Sequence, residues 1–256
     1  MLLSGAPRLL DLLEYRERAG GIEALRRASP WTGVHPSDAC PVTTLGSTLE
    51  QFLSQRPKGL RRTLRRSDER LATEGHHHDV EVVTGPERLK EVLPDVAAVY
   101  DAAERDRPRQ HLLARPWGSF TREVLSESAR LGRLRLFLGR IDGRPISFDV
   151  GFVSADRLEL WLGRFDPRYR PISPGHLAMR EAVHYAISTS LGEIDMGLGD
   201  DRYKRLWCND DYRTLDVTAA SSRRVLLTGR GVLSARRWVR QQAIRATRPR
   251  PESGAT

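Results

Sequence analysis

Apolar positions along this chain follow two different periods, and the switches between them mark its elements. Over residues 86–105, Leu89, Val92, Leu93, Val96 and Val99 recur at helical spacing. Pro94 sits inside that run, so a kink or a split is expected there. Leu60, Leu64 and Leu71 share one side of a segment expected to open at Pro57, run to about residue 73 and stop at Gly75. Ser47 and Glu50 form a capping-box pattern, which predicts a short helix from about Thr48. A further helix is expected over 119–131. The β-branched cluster Val80, Val82 and Val83 predicts a strand over 79–84.

The clearest local signal is a meander. Strands are expected over 133–140, 144–153 and 157–165, joined by turns at Asp142-Gly143 and Ala155-Asp156. A loop rich in Pro and Arg covers 166–174. A helix over 175–190, a short strand over 193–196, a helical turn over 201–207 and a last strand over 212–218 complete the pattern. An antiparallel meander followed by helices and returning strands predicts an α+β fold: a mixed, mostly antiparallel sheet flanked by helices, unlike a doubly wound nucleotide-binding sheet.

The ends read differently. Residues 1–46 are expected to form a helical extension, the remnant of a second half. Within it lie a weak helix over 9–27 and then a loop holding Pro30, Pro36 and Pro41. The main domain is expected over 47–220. Residues 221–256 are expected to hold a basic helix over 232–245 and a disordered tail. Val232, Leu233, Trp238, Val239 and Ile244 give that helix a partial apolar stripe. Docking on the domain is its plain reading, and peripheral contact with a membrane surface is the alternative.

Composition narrows the choices. The chain has 256 residues, 39% hydrophobic and 29% charged, enough for one large domain with an appendage. Its net charge of +9 fits nucleic acid, an anionic surface or anionic small molecules as partners. The charge concentrates at Arg61, Arg62, Arg65, Arg66 and Arg70 and again over 223–250, where solvated basic faces are the plain reading. Cys40 and Cys208 are too few for a disulfide framework or a zinc ribbon, which fits a reducing, cytoplasmic setting. Pro7, Arg8, Asp11 and Glu14 interrupt any secretory apolar run, and no stretch reaches the ~20 apolar residues of a membrane span. Three consecutive histidines, His76 to His78, cannot all face one ion, so no metal is expected.

Two clusters carry candidate chemistry. Arg168, Arg170, Ser173, Pro174 and Gly175 lie at the expected start of a helix. Free N–H groups and a positive dipole end suit a pyrophosphate there, with arginines as added donors. An ordinary capped helix, with Ser173 as cap and Pro174 first, competes with that reading. The second cluster runs from Asp195 through Gly197, Gly199, Asp200 and Asp201 to Tyr203, Lys204 and Trp207. A strand end passing through glycines into a helical turn often faces a cleft. Its competitor is a surface turn with a packed Trp207 and a snorkelling Lys204.

Taken in order, several motifs resemble one family. They are Asp142-Gly143-Arg144-Pro145, the run from Gly163 to Tyr169, Ser173-Pro174-Gly175-His176-Leu177, the run from Asp195 to Gly199, and Tyr203-Lys204-Arg205-Leu206-Trp207. Over about residues 40–220 the chain resembles the acetyltransferase domain of the cellulose-biosynthesis-associated (CelD/BcsL-like) GNAT family. The arginine-rich stretch after Phe52 resembles that family's entry segment. The resemblance implies a GNAT fold, kinship with Fem peptidyltransferases, and acetyl-CoA or another acyl-CoA as donor. It further implies that a backbone N–H around Trp161, Leu162 and Gly163 polarises the thioester carbonyl. Arg168, Arg170, Ser173, Gly175 and His176 would hold the donor's pyrophosphate. A base would come from Asp195, Asp200 or Glu159. Tyr203 would protonate the leaving thiolate, and Lys204 would orient an anionic group of the acceptor. Glu159 also reads as a solvent-facing strand residue, and Asp195 as a cap of the glycine loop. Many family members carry a longer N-terminal half.

The expected reaction is acyl transfer to an amine or hydroxyl of a sugar, amino sugar or small metabolite, in a setting such as cell-surface polysaccharide synthesis. A second reading is Fem-like aminoacyl transfer from charged tRNA, with the arginines of 61–70 on the RNA backbone. Against it, no aromatic stacking platform accompanies those arginines. A third is a catalytically silent GNAT-like module that binds through its basic ends.

Overall fold

The computed structural model of the protein describes residues 9–16, 21–106 and 111–227. In chain order come β1 (Leu9–Arg16), α1 (Gly21–Ala28), β2 (Trp31–Thr44), α2 (Leu49–Ser54), α3 (Lys58–Glu74), β3 (His78–Val83), α4 (Pro86–Asp106) and α5 (Gly118–Arg130). Then follow β4 (Leu134–Ile141), β5 (Arg144–Ser154), β6 (Arg157–Phe165), a 3-10 turn (Pro167–Ile172), α6 (Pro174–Ser188), β7 (Glu193–Asp195), α7 (Arg202–Trp207) and β8 (Asp210–Ala220). The chain divides into two compact units, one of Met1–Ala39 with Tyr212–Thr256, the other of Cys40–Asp211.

In the first unit, β1 pairs antiparallel with β8, Leu10 opposite Ala219 and Asp11 opposite Thr218. Two expectations fail here. Residues 9–27 hold a strand and a short helix instead of one helix, and 30–45 is largely strand β2 instead of a loop. The ladder to β8 supplies backbone partners about two hundred residues away, and that pairing overrides local propensity. The N-terminal stretch is therefore strand–helix–strand, not helical. The basic helix expected over 232–245 lies outside the described residues.

The second unit holds the meander. Its strands run in the order β2 (through residues 42–44), β7, β6, β5, β4, β3. Neighbours are antiparallel except β6 and β7, which run parallel. This is the mixed, mostly antiparallel sheet flanked by helices that the pattern predicts. The Asp142-Gly143 turn has positive φ at both residues, 49° and 77°, as a tight hairpin turn requires. The sheet is covered on both faces. Leu134, Leu136, Leu138 and Phe148 pack with α4 and α5 residues such as Val96, Tyr100 and Leu125. Phe137, Leu158 and Ile194 pack on the opposite side with Leu60, Leu64, Leu177 and Val183. Each such buried side chain contributes roughly 1.5–3 kcal/mol.

The helix boundaries have local causes. Thr48 accepts a hydrogen bond from the Gln51 N–H at 3.1 Å and so caps α2. Gly75 ends α3 in the left-handed conformation, φ 69°. Pro94 does not split α4, which runs unbroken with Leu89 and Val92 buried before it and Val96 and Val99 after it.

Trp207 ties α7 to this unit. It is wholly buried and stacks on Phe52 with ring centroids 6.4 Å apart. Its indole N–H donates to Nδ1 of His176 at 3.0 Å. Its carbonyl accepts from Arg56 Nη1 at 2.9 Å and Thr43 Oγ1 at 3.2 Å. Trp207→Ala is expected to cost about 3–5 kcal/mol of unfolding free energy, read from denaturant midpoints. A loss under about 1 kcal/mol would show that α7 docks without this anchor.

Candidate active site

Strand β6 loses a partner halfway along. Arg157, Leu158 and Glu159 pair with Glu193, Ile194 and Asp195 of β7, and β7 then ends while β6 continues to Phe165. On its other edge the register with β5 slips. Val150 faces Leu162 and Gly151 faces Leu160, so Trp161 is an extra residue, a β-bulge. A cavity of ≈ 450 Å³ opens at this place. Its walls include Trp161, Leu162 and Gly163 of β6, Arg170 of the 3-10 turn, Gly175 at the start of α6, and Tyr203 and Lys204 of α7. Backbone amides of a strand freed on one side can polarise a carbonyl brought to them.

The start of α6 is leaner in donors than expected. Ser173 sits in the left-handed region, φ 52°, and its side chain caps nothing. Its N–H donates to the Arg170 carbonyl. Pro174 has no N–H. The N–H groups of His176 and Leu177 both donate to the Ser173 carbonyl. That leaves the Gly175 N–H without a backbone partner among the described residues, one free amide where several were expected. Arg170 lines the cavity and pairs with Asp106 at 2.9 Å on an exposed edge. Arg168 is bound to the buried Asp166 and stays outside the cavity. His176 accepts the indole proton of Trp207 at Nδ1, so its own proton resides on Nε2. Burial holds this imidazole below its usual range.

The glycine loop is built to place α7. Gly197 and Gly199 have φ of 68° and 98°, where a side chain would be strained. Asp195 is buried and its Oδ1 accepts the Gly197 N–H at 2.9 Å. Lys204 Nζ donates to the carbonyls of Gly197 at 3.1 Å and Leu198 at 2.5 Å, pinning the loop from the other side. Burial lowers the Lys204 pKa, against the pull of Asp201 and other nearby acidic groups. Tyr203 donates its hydroxyl proton to the Gly175 carbonyl at 3.0 Å. Desolvation at the cavity wall, and then the charge of Asp149, push this phenol well above its usual range, although the residue as a whole keeps 37% of its surface exposed.

The three carboxylates singled out as bases lie elsewhere. Asp195 serves the loop, Asp200 is paired with Arg205, and Glu159 lies 3.4 Å from Arg157. None of them lines the cavity. Asp149 of β5 does line it, and sequence reasoning passed over it. It stands directly across the ladder from Gly163. A Cβ on Gly163 would come within 1.8 Å of Asp149 Oδ1, so the missing side chain is the space the carboxyl occupies. Asp149 makes no hydrogen bond or ion pair with the described residues. Burial pushes its pKa up to about 8, against the lowering effect of Arg164. The available signal was a lone acid within the apolar run Phe148-Asp149-Val150.

Residues 58–205 match the family model for the acetyltransferase (GNAT) domain. Among solved structures, FemX is similar with a TM-score of 0.63 at 12% identity, over 82% of this chain and 71% of that one. The C-terminal DUF2156 domain of a protein described as a lysylphosphatidylglycerol synthetase, from Agrobacterium fabrum, is similar at 0.58 and 13%, over 88% and 71%. L-PGS from Bacillus licheniformis is similar at 0.54 and 12%, over 84% and 71%. At these identities the likeness is one of fold. No curated protein matches the sequence. No helix of the described residues is long and apolar enough to cross a membrane.

The raised carboxyl has a consequence for stability. In the unfolded chain an aspartate ionises near pH ~4. In the folded chain Asp149 keeps its proton to about pH 8. Between those values the folded state binds more protons, so stability falls as pH rises across the window and levels off above it. Asp149→Asn should remove that fall. Its thermal midpoint should decline less than the parent's between about pH 5 and about pH 8.5, and equal slopes would show that Asp149 ionises freely.

Proposed function

The chain belongs to the acetyltransferase (GNAT) domain family, and from that premise we propose that it moves an acyl group from acyl-CoA to an amine or hydroxyl of a sugar, amino sugar or small metabolite. The observation that carries this reading is the cavity at the point where β6 runs on past the end of β7. A thioester entering there would meet the backbone around Trp161, Leu162 and Gly163. The Gly175 N–H and the Arg170 guanidinium are the groups on hand for the donor's diphosphate. The exposed Arg170–Asp106 pair contributes little by itself, so exchanging Asp106 for phosphate costs little. Tyr203 has its phenol proton secured at neutral pH and is suited to give it to a departing thiolate. Lys204 is taken up by the loop, which supports a bracing role over contact with the acceptor. The ordered motifs support the CelD/BcsL-like branch, with cell-surface polysaccharide as the acceptor setting, and two free cysteines suit a cytoplasmic place.

A second reading draws on α3. Arg61, Arg62, Arg65, Arg66 and Arg70 are all exposed on it, which supports contact with a phosphate backbone and hence Fem-like transfer from tRNA. Arg65 and Arg70 are partly offset by Glu69 and Glu74 on the same helix.

Acetyl-CoA and longer acyl-CoA thioesters should raise the melting temperature, with about 2.7 kcal/mol gained at a hundredfold excess over Kd. Tyr203→Phe should lower turnover by about 10²-fold while the thioester's stabilising effect persists. Stabilisation by none of the thioesters, with a steeply salt-dependent tRNA shift, would favour the second reading. Failure of both would leave a binding module without transfer activity.

A further inference from the structure

We infer that the outer face of α3 is a docking surface for an anionic lipid bilayer. The inference stands apart from the acyl-transfer reading and uses no group of the cavity. Leu60, Leu64, Ser67 and Leu71 are buried, so one side of α3 faces the sheet. Lys58, Arg61, Arg62, Arg65, Arg66 and Arg70 are all exposed. A spacing of four sets Lys58, Arg62, Arg66 and Arg70 in a row about 18 Å long on a straight helix. Arg65 and Arg70 reach acids on the next turn, Glu69 at 3.3 Å and Glu74 at 2.7 Å. The side chains of Lys58, Arg61, Arg62 and Arg66 make no ion pair or hydrogen bond with the described residues.

Nothing within the helix accounts for this charge. The positive end of a helix dipole lies at its start, where acids are favoured and cations are not. Helix α3 has no acid in its first turn and no base in its last, and Lys58 and Arg61 stand at its start. The arrangement works against the helix itself and answers to an anion outside it.

The charge is also one-sided. Helix α3 carries six cations against three acids, and α4 carries six acids against three cations. One of the three acids on α3, Asp68, is held by Arg180 at 2.8 Å. The two helices cover opposite faces of the sheet, so this unit has a cationic side and an anionic side. A plane of negative charge turns such a body with α3 toward it.

A bilayer fits this face better than RNA does. No exposed aromatic or large apolar side chain lies on α2 or α3, so a base finds no ring to stack on. The face is one convex helix side, suited to a plane of headgroups. Guanidinium forks bind phosphate oxygens in pairs. With no apolar side chain to insert, binding is by charge alone and stays at the headgroup level. The 3-10 turn packs against α3 and its Arg170 lines the cavity, so the cationic face and the cavity are one element apart.

The test floats the full chain with vesicles of phosphatidylcholine alone and of phosphatidylcholine with about 30% phosphatidylglycerol. The protein should rise with the anionic vesicles and not with the neutral ones at about 0.1 M salt, and should be released at about 1 M. Each neutralised arginine should weaken partitioning by about fivefold, so Arg62→Gln with Arg66→Gln should lower it by about 25-fold, the melting temperature being kept. Arg236→Gln with Arg237→Gln, in the basic stretch outside the described residues, should lower it less. Equal binding to both vesicles, binding to neither, or binding that withstands the α3 change and falls with the other overturns the inference. Where neither vesicle binds, a tRNA gel shift that is lost on changing Arg62 and Arg66 assigns α3 to RNA instead.

Discussion

Strand β6 has two neighbours at its start and one at its end, because β7 stops at Asp195 while β6 goes on to Phe165. A parallel neighbour would satisfy the outer edge of β6 along its whole length. Its early end leaves backbone groups facing a gap, and the gap is walled by whatever the chain places next. The loop after β7 turns on two left-handed glycines and delivers Tyr203 and Lys204 to one wall. The segment after β6 coils into a 3-10 turn and delivers Arg170 and Gly175 to another. The bulge at Trp161 twists the freed strand at the same level. Sheet geometry and site geometry are thus one constraint.

Charge in this region is arranged by exclusion. Ion pairs with close partners occupy Asp106, Glu104, Glu159 and Asp200, and loop carbonyls occupy Lys204. These contacts hold loops and strand ends in place. They also leave Asp149 as an acid on the cavity wall with no hydrogen-bonded or ion-paired partner among the described residues. Tyr203 stays neutral for related reasons, since its hydroxyl is desolvated in the cavity wall and near that acid, although the residue keeps 37% of its surface exposed.

Much of the fold could be read from the chain because its signals are local. The Asp142-Gly143 turn states its own geometry, and the β-branched and apolar runs around it have no competing period. Helix α4 survives Pro94 because apolar residues on both sides of it share one buried face. Strands β1 and β2 were illegible for the opposite reason. Their order depends on distant strands, and their leucines and prolines suit a helix and a loop when taken alone. The site divides in the same way. Tyr203, Lys204, Arg170, Gly175 and residues 161–163 stand in motifs, and they line the cavity. Asp149 belongs to no motif, and its meaning appears only once Gly163 is set across from it. The count of free amides at α6 was equally hidden, since it turns on where one left-handed serine sends two N–H groups.

The void over Gly163 has a consequence for how this sequence can drift. Positions 149 and 163 share one volume, and the carboxyl as it now stands occupies the place a methyl on 163 would take. Their histories are therefore linked. A descendant that gains a side chain at 163 must turn the carboxyl of 149 away from its present place or shorten it, and the acid leaves this spot in either case.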